Sequence, residues 1–195
     1  MLGVSKEIRI TDAVCGVSTL LYKWRGTQYN TYQTSTPWNN VASSNALADW
    51  SNVDTADQRF NSITDPDTGD PVIVMGDTLV VPKALEPTAL RIVSATEVRH
   101  TSSSNAIQTL SANPVAGKRV VSTRWVSNRV GNGTTWFYGD PARAFAYMQN
   151  WPVTVTQAPT NSEAEFTHDI VARFKVSERG AAAVLNPRYM VKSTQ

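Results

Sequence analysis

The stretch that decides the fold is the C-terminal third, WFYGDPARAFAYMQNWPVTVTQAP over residues 136–159 and EFTHDIVARFKVSERGAAAVLNPRYMVKST over 165–194. It opens on Trp136-Phe137-Tyr138 and turns at Gly139-Asp140-Pro141. A short amphipathic run, 142–148, then leads to Asn150-Trp151-Pro152 and Val153-Thr154-Val155-Thr156. After a polar loop with Pro159, Asn161 and Glu163 comes the clearest strand pattern of the chain, 169–177. There Ile170, Ala172, Phe174 and Val176 point one way and Asp169, Arg173, Lys175 and Ser177 the other, with Val171 alone breaking the alternation. Period two is that of a half-buried strand. Glu178-Arg179-Gly180 turns the chain, 181–185 runs apolar, Asn186-Pro187 turns it again, and 188–192 ends it as a strand. Two turns between three apolar runs predict a meander in the central sheet, with Phe174 and Val176 buried. No catalytic group stands out in it.

Taken in order, these stretches resemble the C-terminal part of tailed-phage major capsid proteins of the Hong Kong 97 type. In that family a strand carries an acidic-Arg pair into an Ala-rich turn, and a final strand returns to the sheet of the peripheral domain. Glu178-Arg179 and the closing residues 187–194 stand where that pattern has them. A second segment, LVVPKALEPTALRIV over 79–93, resembles the strand-Pro-helix that joins the family's sheet to its outer domain. The resemblance implies an α+β, Hong Kong 97-like fold, with a mixed sheet-and-helix peripheral layer and a small outer (axial) domain. It assigns 1–83 to the peripheral part, 84–160 to an axial-like domain and 161–195 to return strands. It further implies a structural subunit of a phage or prophage icosahedral shell, a major capsid protein acting by self-assembly. Its partners would be copies of itself in capsomers, with scaffolding or decoration proteins, and its location the virion capsid after assembly in the host bacterial cytoplasm. The family's N-terminal arm, extended loop and most of its spine helix precede this region. The expectation is therefore a truncated product or a drastic reduction of those parts.

Composition points the same way. The 195 residues allow one medium domain or two small ones. Charged residues are 17%, below the usual quarter, while Ser, Thr and Asn are abundant, as suits a β-rich protein with large polar or contact surfaces. The net charge of +2 is too small for a nucleic-acid binder over its whole surface, and no sequence-specific nucleic acid is expected. Its distribution is uneven. Over 45–80 seven aspartates face one base, Arg59, for a net −6; from Lys118 onward ten bases face five acids, for a net +5. Opposite poles suit a head-to-tail contact between copies; the alternative is that both are solvated faces. Candidate contact residues are Asp65, Asp67 and Asp70 on the acidic side and Arg173, Lys175, Glu178 and Arg179 on the other, with Trp38 and Trp151 as aromatic anchors. Cys15 is alone, so no intrachain disulfide forms. No run of 18 apolar residues predicts a membrane span.

Along the chain, residues 5–10 read as a short strand or the start of a helix. A helical period follows through Val14, Val17, Leu20 or Leu21, and Trp24, with Thr11 as N-cap and Gly26 as stop. Residues 26–45 read as a long aromatic-studded loop. A second helix falls within 46–63, capped by Ser51 or Asp54, with Ala56, Phe60 and Ile63 facing the core. Asp65-Pro66-Asp67-Thr68-Gly69-Asp70-Pro71 is a turn cluster. It begins like a calcium loop, but Gly76 stands where the bidentate Glu belongs. Residues 72–75 and 79–81 read as strands, and Pro82 opens a helix over 84–95 on the face Leu85, Ala89, Ile92 and Val93. Residues 100–113 read as a mobile loop, 118–126 as a strand and 127–135 as a hairpin-type loop.

Catalytic material is sparse. His100 and His168 are isolated, and the His168-Asp169 neighbours point to opposite faces of a strand. There is no nucleophile elbow, no zinc ligand set and no phosphate loop, so neither an enzyme nor a cofactor is expected. The six tryptophans, Trp24, Trp38, Trp50, Trp125, Trp136 and Trp151, read as core and interface anchors. The alternative is an aromatic-rich glycan- or ligand-binding module.

Overall fold

Strand β8 (Trp136–Gly139) is the centre of the molecule, and all four of its residues are buried. A computed structural model describes residues 2–101, 108–158 and 173–195. In chain order these form α1 (Leu2–Cys15), β1 (Tyr22–Trp24), β2 (Thr27–Tyr29), β3 (Val41–Ala42), α2 (Trp50–Asn61) and β4 (Thr78–Pro82). A 3-10 turn (Lys83–Leu85) leads to α3 (Glu86–Ser94), β5 (Glu97–Thr101), β6 (Gln108–Ala112), β7 (Arg119–Thr123), α4 (Arg124–Val130) and β8. Then come a short α5 (Pro141–Ala144), β9 (Phe145–Gln157), β10 (Phe174–Val184), a second 3-10 turn (Pro187–Tyr189) and β11 (Met190–Ser193). The fold is α+β. Its main sheet is mixed, ordered β3-β11-β8-β4-β7, and draws strands from the first, middle and last parts of the chain.

Alternation along the three inner strands builds two cores. Leu79 and Val81, Trp136 and Tyr138, and Val191 face α2 and α3, where they meet Val53, Ala56, Phe60, Ala89 and Ile92. Val80, Phe137 and Met190 face the other way, onto Ala13, Val14 and Cys15 of α1 and Val126 of α4. Helices on both faces are why β4 and β8 read as continuous apolar runs rather than as alternating ones. Each large aromatic of β8 with a polar end has a partner. The Trp136 indole donates to the Asn45 carbonyl at 2.9 Å, and the Tyr138 hydroxyl to the Gly76 carbonyl at 2.7 Å.

Several expectations hold. Ala56, Phe60 and Ile63 are buried, Ala89 and Ile92 are buried beneath α3, and the strand-Pro-helix over 79–93 is β4, a 3-10 turn and α3. Others need correction. The first helix is α1, which ends where Gly16 takes a left-handed φ of 66°; Thr11 lies inside it and donates to the Glu7 carbonyl instead of capping. Residues 22–29 are a β1–β2 hairpin around Arg25-Gly26, both at positive φ, so the helical period through Trp24 was a coincidence of spacing. α2 is capped by Asp49, whose carboxylate accepts from the Trp50 amide while the Asn52 side chain accepts from the Asp49 amide. Trp125 and Val126 belong to α4, and much of 100–113 is the β5–β6 pair. Residues 72–75 are extended without a ladder.

The largest correction concerns the C-terminal meander. Only β11 enters the main sheet; β10 pairs with β9 in a separate two-stranded ribbon. Gly180 lies within β10 rather than in a turn, and a Cβ there would come within 2.4 Å of the Tyr147 hydroxyl. Residues 159–172, including Ile170, Ala172 and His168, lie outside the described residues.

Candidate functional site

Among the described residues no group of three or more His, Cys, Asp or Glu could hold a metal ion. What the described residues do collect is exposed apolar surface, and its largest share, Met148, Trp151, Val153, Val155, Phe174 and Val176, is on the β9–β10 ribbon. Glu178, Gly180, Ala182 and Val184 share one face of β10 and are partly covered. α1 lies against them: Lys6 sits 4.7 Å over the Tyr147 ring, and Arg9 donates to the Gly180 carbonyl. Beyond α1 the same face continues through Val176 and Phe174 into solvent. Val155 stands directly opposite Val176, and Val153 lies two residues further along β9. Phe174 is 65% exposed, and Val153, Val155 and Val176 are about half exposed or more. The expected alternation is therefore present in the described part, but the burial of Phe174 and Val176 is not. The chain contains nothing that lies over them among the described residues, because the ribbon leaves the body instead of joining the sheet.

The reverse of the ribbon carries Arg173, Lys175 and Arg179, all exposed. Trp151 stands opposite Arg179, past an irregularity in the ladder, and is 59% exposed. Glu178 is partly covered and accepts from the Tyr147 hydroxyl at 3.1 Å. Of the expected contact residues, Trp151, Arg173, Lys175 and Arg179 are thus brought together, and Glu178 is turned inward beside them.

The acidic side is partly occupied by the chain itself. The turn over 65–71 is built on the Asp65 carboxylate, which accepts from the Asp67 amide at 2.8 Å. Asp65 also pairs with Arg188 at 2.9 Å, and Asp67 with Arg25 at 2.6 Å. The hydrogen bond from the Arg188 guanidinium is the main cause holding the Asp65 carboxyl below its usual range. One base of the basic C-terminal part thus already meets the aspartate segment within the chain. Asp70 remains exposed. Just after it the chain runs extended: Val72 and Val74 turn towards the core, and Ile73 and Met75 are 84% and 82% exposed.

Trp38 is not on the surface. It is 2% exposed, edge-on to Tyr22 and Tyr29 at ring distances of 5.4 and 5.6 Å, and its indole donates to the Thr31 carbonyl. Trp136 is equally buried, so two of the six tryptophans that a stacking platform would need are core residues. The residues that sequence reasoning missed are asparagines. Asn40, fully buried, donates to the carbonyls of Thr31, Pro187 and Met190 and accepts from the Gln33 amide. Asn45 and Asn113 tie loops in the same way. Buried side-chain amides of this kind leave no periodic trace in a sequence.

The described residues form a layered body and a two-stranded ribbon whose outer end exposes apolar side chains. A protein-family model described as phage capsid protein matches residues 25–193, and the chain belongs to that family. A search of curated proteins finds no match. The role is accordingly structural, in the capsid of the virion. No helix among the described residues is long and apolar enough to cross a membrane.

Proposed function

We propose that this chain is the major capsid protein of an icosahedral shell of the Hong Kong 97 type, and that it acts by self-assembly into capsomers. The observation that carries the reading is the apolar end of the β9–β10 ribbon. A member of a capsid family exposes there a row of Val153, Val155, Phe174 and Val176, and contiguous apolar surface of that kind marks a protein contact. Two-stranded ribbons are marginal alone, so a neighbour that covers this one stabilises both. The division into a peripheral part (1–83), an axial-like domain (84–160) and return strands (161–195) belongs to this reading as a description of the shell-bound subunit. Scaffolding or decoration proteins would be further partners, and the host cytoplasm the place of assembly. Trp151, Asp70, Arg173, Lys175 and Arg179 are its surface contacts; Asp65, Asp67 and Glu178 contribute through their intrachain bonds, and Trp38 by supporting the β1–β2 hairpin.

Electron microscopy and size-exclusion chromatography of the expressed full chain test this. Closed shells, or rings of five or six subunits, are expected. A strict monomer at every concentration overturns self-assembly.

A further inference from the structure

Residues 72–75 form the second exposed apolar feature of the molecule, and it is shaped like a strand without a sheet. Burial alternates residue by residue, Val72 and Val74 in, Ile73 and Met75 out. Among the described residues no backbone–backbone hydrogen bond engages Ile73, Val74 or Met75. Apolar side chains this exposed, standing together on one side of the segment, mark a surface that another chain covers.

We infer that segment 72–75 of one copy docks on the apolar face of another copy's β9–β10 ribbon, Ile73 and Met75 covering Val155, Val176 and Phe174. The inference rests on the self-assembly reading above and names the two surfaces that meet. Charge selects this pairing over the alternatives. Within 65–77 four carboxylates, two of them already holding Arg25 and Arg188, with Lys118 donating to the Gly76 carbonyl beside Met75, leave that surface at net −1. On β10 and its lead-in, Arg173, Lys175 and Arg179 against Glu178 leave net +2. A two-stranded ribbon is thin, and its bases lie within about one Debye length of whatever covers the other face. Two ribbons meeting through their apolar faces would set like charges on both outer sides and gain no such complementarity. The contact is heterologous, using different surfaces on the two copies, so repetition builds rings or shells rather than closed dimers.

Cysteine pairing on the full chain tests the geometry, because a disulfide forms only when the two Cα atoms come within about 7 Å. Chains carrying Met75→Cys are mixed with chains carrying Val155→Cys and mildly oxidised; Cys15 is buried and serves as the background in unsubstituted chains. The expected result is a disulfide-linked dimer only in the mixture, and none when Thr154→Cys, on the ribbon's opposite face, replaces Val155→Cys. Val155→Cys chains that link to themselves would show ribbon-to-ribbon contact and overturn the inference, as would equal linking through Thr154→Cys. Wild-type particles with no mixed product overturn the docking and leave the capsid reading intact. A wild-type chain that never associates overturns that reading itself. As a second measurement, Ile73→Ser/Met75→Ser should keep the wild-type unfolding midpoint, since both positions are exposed, and should slow assembly. Unchanged assembly would count against the contact.

Discussion

Asn40 shows how much of this fold rests on single polar residues. Its amide bridges the segment around Thr31 to the Pro187 and Met190 carbonyls, so one side chain holds the first loop to the last strand. Asn40→Ala would take the donor from the Met190 carbonyl and the acceptor from the Gln33 amide, while the Thr31 and Pro187 carbonyls keep the Trp38 indole and the Met190 amide; an unsatisfied buried group costs about 1–3 kcal/mol. We expect a loss of roughly 2–4 kcal/mol in a denaturant titration, since more than one group is orphaned. Cys15 is a second case. Burial, reinforced by the nearby Asp12 carboxylate, pushes its thiol up to about 12. It should ignore a thiol reagent at pH 8 in the folded protein and react fully once denaturant opens α1. Asp65 makes the pH prediction. Its carboxyl is held low by Arg188, so its contribution is complete above the ordinary aspartate value of 3.8 and is lost as pH falls through the lowered value. Asp65→Asn should therefore lower the unfolding midpoint at neutral pH, and the gap to wild type should close in acid. A constant gap down to pH 2 would mean that Arg188 does not depend on that charge.

At the scale of elements, the contrast between Phe137 and Phe174 is decisive. Both lie on strands, but β8 is covered by helices on both sides and the outer end of β10 by nothing described. Phe137→Ala should cost about 3–5 kcal/mol. Phe174→Ala should cost the isolated subunit under about 1 kcal/mol, as exposed positions do, and a larger loss would show the ribbon folded onto the body. Legibility divides along the same line. The Leu79–Val81 run, Pro82 and the α3 face were readable because propensity, turn chemistry and period agree there. The alternation of Phe174 and Val176 with Arg173 and Lys175 was readable too, but alternation says only that the faces differ, not which one the same chain covers. Trp136-Phe137-Tyr138 hid its two-faced role, since a run apolar on both sides has no period to read. Segment 72–75 has the composition of a strand and the exposure of one, yet beyond the bond from the Val72 amide to the Ile63 carbonyl it joins no ladder among the described residues.

Across the whole molecule, the sequence's opposed charges divide between internal pairs and open surface, a division that depends on three-dimensional pairing and cannot be counted along the chain. Arg188–Asp65, Arg25–Asp67 and Lys118 on the Gly76 carbonyl use part of the complementarity internally, leaving net charges of −1 and +2 on the surfaces proposed to meet. Such rim charges contribute about 0–1 kcal/mol per pair, whereas fully burying an Ile or Met side chain contributes about 1.5–3 kcal/mol. Apolar cover from Ile73, Met75, Val155 and Phe174 should thus set the affinity, and charge the approach. The two contributions respond differently to salt. Raising the ionic strength from about 0.1 M to 1 M shortens the Debye length from about 10 Å to 3 Å and weakens steering. Apolar contacts do not weaken in the same way. In time-resolved light scattering the assembly rate should fall across that range, while the final scattering, given time, changes little. A rate indifferent to salt would remove charge from the encounter. A collapse of the final scattering would mean that ion pairs, rather than the ribbon's apolar face, hold the copies together.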